Sequence, residues 1–191
     1  MNYHTLTLPQ IYDETEAIAV DAQTLFGDLD VQQLNWKPSA AAWSVAQCLD
    51  HLISINRAYY PILDRIMKGE YPRALLHRLP LLSALFGRMM IRELSPDYRK
   101  KYKAPPTARP SASTIDASIV QRFLTQQRET LAKMRSLEDK RPETIVITSP
   151  FASVVVYSLL DALRLVVAHE RRHFAQARRV MEASGFPRRP E

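Results

Sequence analysis

The stretch "LLDALRLVVAHERRHFAQARRVM", residues 159–181, decides the fold, because its apolar side chains recur at three- and four-residue spacing. That spacing is typical of an amphipathic helix, which we place at about 153–183, ended by Gly185 and Pro187. One face is apolar and the opposite face is charged. Near His169 lie Val155, Ser158, Ala162, Leu165, Val166 and Val180; opposite lie Arg164, Arg171, Arg178 and Glu182.

The same spacing predicts three further long helices, at about 8–29, 45–68 and 114–137. Ser44 and Gln47 form a capping-box pattern at the start of the second of these helices. The whole chain contains only four glycines. These observations predict a mainly helical, all-α fold.

The link between the second and third long helices is the long one, at residues 70–112, and its six prolines prevent a continuous helix. Within it, "PLLSALFGRMMIREL" (80–94) predicts a short amphipathic helix, and residues 95–113 predict a basic loop. Two short links and one long crossover indicate an up-down-down-up four-helix bundle. We expect one domain over 1–191, and a short extended segment in the β-branched run 144–148.

Composition narrows the class of protein. The net charge is +6, from 26 basic and 20 acidic residues, but no nucleic-acid recognition motif accompanies it. Nucleic acid is therefore an unfavoured partner. The only cysteine, Cys48, cannot form an intramolecular disulfide and suits a reducing compartment. Without a signal-peptide pattern or an apolar run of about 18 residues, we expect a cytoplasmic protein.

Three of the five histidines are predicted to point inward. His169 and His173 lie one turn apart on the apolar face of the last helix, since residues four apart are offset by only about 40°. His51 lies on the apolar face of the second long helix, beside Cys48 and Ile55. Together they could offer three imidazoles to one divalent ion. The alternative is that each is a core histidine hydrogen-bonded to a neighbour.

The segment His169–His173 also matches H-E-x-x-H, the short signature of zinc peptidases. That class needs a third ligand, usually downstream, yet only 18 residues without a histidine follow His173. Glu182 is the nearest acid there and points away from the histidine face. We therefore reject a peptidase. Glu170 lies at the margin of the face, where it could orient a histidine, act as a base or form a surface salt bridge.

Two segments resemble DinB-like proteins. "LNWKPSAAAWSVAQCLDHL" (34–52) is similar to the family's entry into its second helix, through Trp36, Pro38, Trp43, Ser44 and His51. "SPF" (149–151) and the helix 159–181, with H-x-x-x-H and then Gln176, resemble the family's last helix. The resemblance implies a four-helix bundle, often a homodimer, that holds zinc or nickel through His51, His169 and His173.

Members of that family with known activity include S-transferases and isomerases that use low-molecular-weight thiols such as bacillithiol or mycothiol. The resemblance therefore implies a metal-dependent transferase or hydrolase acting on a small-molecule substrate, with a thiol as candidate cofactor. Gln176, one turn beyond His173, either orients a ligand or water, or caps the helix end. Two alternatives stay open: a non-catalytic metal-binding or stress-response bundle, and a basic adaptor for nucleic acid or another partner.

The remaining expectations concern the surroundings of the site. Cys48 is interpreted as a small buried residue, with an approach to the metal as the alternative, and Trp43 as packing the helix entry, with a site-lining role as the alternative. Arg172 is interpreted as a surface arginine, and the alternative is contact with an anionic substrate or a thiol's carboxylate. The helix at 80–94 is by default a covered structural helix. Lid or dimer contact is favoured over a membrane-surface contact through residues 78–92, where Arg78, Arg88 and Arg92 lie.

Overall fold

A computed structural model describes residues 1–72, 75–78, 80–98, 109–111 and 114–188. It is mostly helical, with one two-stranded sheet, which confirms the mainly helical prediction. The predicted basic loop 95–113 lies largely outside the described residues. The up-down-down-up order and the single domain stay predictions.

The helices have the following bounds: α1 Leu8–Phe26, α2 Val31–Asn35, α3 Val45–Met67, α4 Pro80–Leu94, α5 Ile119–Arg135 and α6 Leu159–Met181. The strands are β1 Val146–Ser149 and β2 Ala152–Ser158. Short 3-10 turns lie at Tyr3–Thr5, Leu75–Arg78 and Glu138–Lys140.

Helix α3 begins and ends where its local signals predict. The Ser44 hydroxyl accepts a hydrogen bond from the Gln47 amide, and the Gln47 side chain accepts one from the Ser44 amide, each at 3.2 Å. These reciprocal bonds satisfy donors that the first turn leaves free. At the other end Gly69 has a φ of 72°, a left-handed conformation that glycine adopts without strain. This helix carries His51 in its second turn.

The start of the last helix was predicted wrongly. Residues 152–158 are strand β2, which pairs antiparallel with β1 so that Ile147 lies opposite Tyr157. The three valines at 154–156 favour a strand. Ser158 then caps α6 by accepting a hydrogen bond from the Asp161 amide at 3.0 Å. Val155 and Ser158 therefore do not belong to the helical stripe near His169.

Two other boundaries differ from the prediction. Residues 114–118 precede α5 rather than forming its first turn. Instead, the Ile115 carbonyl accepts a hydrogen bond from Asn35 Nδ2 at 2.7 Å, and the Ile115 N–H donates one to Asn35 Oδ1 at 2.9 Å. Helix α1 ends at Phe26 rather than near residue 29, and its C-cap is Gly27. Both differences shorten helices without moving any predicted site residue.

The long helices pack around a shared apolar core. Helices α1 and α3 each pack against α5 and α6, while α4 packs against α6 and β2. Arg171 of α6 forms ion pairs with Glu14 and Asp21 of α1. These contacts place α3 and α6 side by side, so that their histidines face a common space.

Only one side of helix α4 is covered, by α6 and β2. Ile91 is buried, whereas Leu81 and Leu85 are exposed. None of the described helices combines the length and the hydropathy that a membrane span requires.

Candidate metal centre

The three predicted histidines lie together. One ring nitrogen from each of His51, His169 and His173 lies within 4.8 Å of the others. The Nε2 atoms of His169 and His173 are 3.1 Å apart, and the His51 ring centroid lies 4.7 Å from that of His173. All three side chains are buried. Helix α3 supplies one imidazole and two successive turns of α6 supply the other two.

Trp43 forms one wall of this cluster. Its ring stacks on His173, with centroids 5.5 Å apart and planes 14° apart, and it meets the edge of His51 at 5.0 Å. The alternative that Trp43 lines the site is therefore confirmed. Its position just before the cap residue Ser44 places it over the first turns of α3. Sequence spacing did not reveal this contact, because His173 is 130 residues away.

The buried imidazoles of α6 are held in their neutral form. Burial lowers the pKa of His169 well below its ordinary value, and the nearby charges of His51 and Arg172 act in the same direction. Burial likewise lowers the pKa of His173, with His169, His51 and Arg172 adding to it and a hydrogen bond with Gln176 opposing it. A neutral imidazole keeps the lone pair that a metal ion needs.

The donor set and spacing fit a divalent ion. Two nitrogens on one tetrahedral zinc, at about 2.0–2.1 Å each, would lie roughly 3.3 Å apart, close to the 3.1 Å between the two Nε2 atoms. A hydrogen bond between the two neutral rings would also suit that distance. Either arrangement uses the two Nε2 atoms, so the convergence of a third imidazole, that of His51, is what favours a metal ion over a hydrogen-bonded pair.

The histidines open onto a cleft of about 1470 Å³. Next to them its walls are largely apolar, with Ile55, Leu165, Val166 and Phe151 among the lining side chains. Tyr59 and Tyr157 also line it, and their hydroxyls are hydrogen-bonded to each other at 2.8 Å. The cleft therefore has space for a small-molecule ligand beside the three imidazoles.

Glu170 does not face this cleft. Its side chain is fully buried between α3, α5 and α6, where Oε1 accepts hydrogen bonds from Asn56 Nδ2 (2.6 Å) and from Gln127 Nε2. Burial raises its pKa to about 7, although the two amide donors and Arg171 oppose the shift. The surface salt-bridge alternative is wrong. The role of a base beside the histidines receives no support, because Glu170 does not line the cleft.

Arg172 is not a solvated surface arginine. Its Nη1 donates to the carbonyl oxygens of Glu93 (3.1 Å), Ser95 (3.1 Å) and Tyr98 (2.7 Å). It thereby joins the histidine-bearing helix α6 to the end of α4 and the residues after it. Arg172 also lines the cleft. These three acceptors are backbone atoms, which explains why residue types alone did not reveal them.

Of the other residues considered from sequence, Gln176 lines the cleft, whereas Cys48 and His77 do not. Gln176 lies one turn beyond His173. Cys48 is buried, as expected, and burial raises the pKa of its thiol to about 12, so it is neutral. His77 lies elsewhere, with its Nε2 2.9 Å from the Thr148 hydroxyl.

Comparison with known proteins identifies the class. The model of the DinB superfamily matches residues 14–177, which include His51, His169 and His173. The chain belongs to the DinB superfamily. It is similar to the uncharacterized protein YuaE of Bacillus subtilis (strain 168), at 30% identity over 155 residues, covering 81% of this chain and 86% of that protein. No solved structure matches the chain.

Proposed function

We propose that this chain binds one divalent metal ion, zinc or nickel, through His51, His169 and His173. We further propose that it is a metal-dependent S-transferase or hydrolase with a small-molecule substrate and a low-molecular-weight thiol as candidate cofactor. One observation carries the proposal: three buried imidazoles, two of them held neutral, converge within 4.8 Å at the wall of an open cleft. Membership of the DinB superfamily supports it.

A divalent ion held by three neutral ligands supplies an undiminished 2+ charge, which lowers the pKa of a bound water or thiol. The chain's own residues set the surroundings. Trp43 fixes the His173 ring by stacking, and the apolar walls exclude water from one side of the cleft. Gln176 presents an amide beside His173 that can orient a ligand.

The buried carboxyl of Glu170 has a structural part in this proposal. It accepts hydrogen bonds from α3 and α5 in the position next to His169, and so fixes α6 against the two neighbouring helices. General acid or base work would fall to groups that line the cleft.

Four further proposals concern the helix arrangement, the number of domains, the oligomeric state and the location of the protein. We propose the up-down-down-up bundle as the arrangement of the long helices, supported by the packing of α1 and α3 on α5 and α6. We also propose a single domain, a homodimer and a cytoplasmic location. For the homodimer, Leu81 and Leu85 of α4 offer exposed apolar surface; the location rests on the lone Cys48.

The reaction class is tested with protein fully loaded with zinc or with nickel. A panel of low-molecular-weight thiols is paired with electrophiles, and a second panel contains hydrolysable esters and amides. We expect turnover that disappears when the metal is stripped and in His51→Ala, but persists in His77→Ala, whose histidine lies outside the cluster. Absence of turnover across both panels with metal fully bound would instead favour a non-catalytic metal protein.

A further inference from the structure

The charged side chains that line the cleft are strongly biased in sign. Among the described lining residues, Lys37, Arg109, Arg172 and Arg179 are cationic, and Glu93 is the one acid. The chain as a whole has 26 basic and 20 acidic residues, so the ratio of four cations to one acid in the cleft exceeds the ratio in the whole chain. The neutral imidazoles of α6 do not offset it. A cleft lined by one sign of charge concentrates ligands of the opposite sign.

Two of these cations lie at the solvent edge of the cleft. Lys37 and Arg179 are exposed, and neither forms a salt bridge with any described residue. Arg179 follows His173 by six residues on α6, which corresponds to about 9 Å along the helix axis. This separation determines how far the anionic group of a bound ligand lies from the end of the ligand that reaches the histidines.

Apolar surface lies beside both ends. Trp43, which stacks on His173, and Val180, seven residues after His173 on the same face of α6, line the same cleft. Such walls contact an uncharged chain favourably but offer nothing to a second ionised group. The complementary ligand therefore has an acid group at one end, an apolar body, and an uncharged or metal-binding group at the other end.

We propose that the cleft binds a small organic acid, with its anionic group at Lys37 and Arg179 and its other end at the three histidines. The identity of the reacting end rests on the proposed function, whereas the preference for an anion does not require the metal. Lys37 and Arg179 are thus determinants of substrate specificity, and their removal weakens acidic ligands selectively.

The test compares two probes of equal length, 6-mercaptohexanoate and 6-mercaptohexan-1-ol, by isothermal titration calorimetry. Hydrogen bonds to charged groups support a preference of roughly tenfold or more for the acid. The double variant Lys37→Gln/Arg179→Gln should lose that preference and leave the affinity for the alcohol unchanged. Arg178→Gln is the matched control, because it removes one positive charge from the adjacent, exposed position of α6, which does not line the cleft.

Equal affinities of the parent protein for the two probes would overturn the proposal. So would an equal loss of preference in Arg178→Gln, or no saturable binding of the acid up to about 10 mM. Metal-stripped protein separates this inference from the proposed function. If the acid preference persists there and no metal binds on reconstitution, the metal proposal fails alone; if metal binds without any acid preference, the anion site fails alone.

Discussion

Replacing Glu170 by Gln should stabilise the protein at alkaline pH and have little effect at acid pH. Three buried oxygens around this residue have no hydrogen-bond partner within the described chain: Glu170 Oε2, Asn56 Oδ1 and Gln127 Oε1. An ionised carboxylate cannot donate to either amide oxygen. A glutamine can, since its Oε1 can still accept from both amide nitrogens while its own NH₂ replaces Oε2.

The magnitude follows from the pKa. Burial raises the pKa of Glu170 from 4.5 to about 7, a difference that corresponds to about 3 kcal/mol. Because the pKa is raised in the folded state, the stability contribution of Glu170 is fully present below about pH 4.5 and is lost as the pH rises through about 7. Glu170→Gln removes that loss, so its advantage should grow by roughly 2 kcal/mol between about pH 5 and pH 8.

Urea unfolding of the metal-free protein at the two pH values measures this difference. Protonation of the buried histidines affects parent and variant alike, so it cancels. Glu129→Gln on α5 is the control, because Glu129 is exposed and the same charge is removed. Glu170→Ala should be less stable at both pH values, since it leaves Asn56 Nδ2 and Gln127 Nε2 only their longer contacts to Gln126 Oε1, at 3.3 and 3.4 Å. Parallel pH profiles for parent and Glu170→Gln would mean that burial does not raise the pKa of this carboxyl.

Three further predictions concern the scaffold. Ser44→Ala removes the cap of α3 and should lower the free energy of unfolding by about 1 kcal/mol in urea titrations; no change would mean that the capping box contributes nothing. Arg171→Met leaves Glu14 and Asp21 without their partner and should cost about 2 kcal/mol, which an unchanged midpoint would contradict. Metal-free Glu170→Gln, which lacks the opposing titration of Glu170, should lose stability as pH falls below about 6.5, because the unfolded chain protonates histidines whose pKa burial has lowered; a thermal midpoint that does not fall would contradict this.

Elements with local signals were predictable from sequence. The capping box at Ser44 and Gln47 fixes the start of α3, and prolines on both sides leave room for only one short helix at Pro80–Leu94. The inward direction of His169 and His173 follows from helical geometry once the apolar stripe is known. These features depend on neighbours within a few residues.

What the sequence did not reveal depends on partners far along the chain. Residues 152–158 form a strand because residues 146–149 pair with them, although the same apolar spacing continues into α6. Helical geometry places Glu170 only at the margin of the histidine face. It is buried because Asn56 of α3 and Gln127 of α5 pack around its carboxyl and hydrogen-bond to it. Arg172 binds carbonyl oxygens, which every residue carries.

Metal content distinguishes a metal centre from a cluster of core histidines. Untagged protein, reconstituted with zinc or nickel and desalted, is measured by elemental analysis beside His51→Ala and the control His77→Ala. We expect about one divalent ion per chain in the parent and in His77→Ala, and a marked loss in His51→Ala. No metal in the parent after reconstitution would mean that His51, His169 and His173 are core residues hydrogen-bonded to one another, and that the chain has no metal centre here.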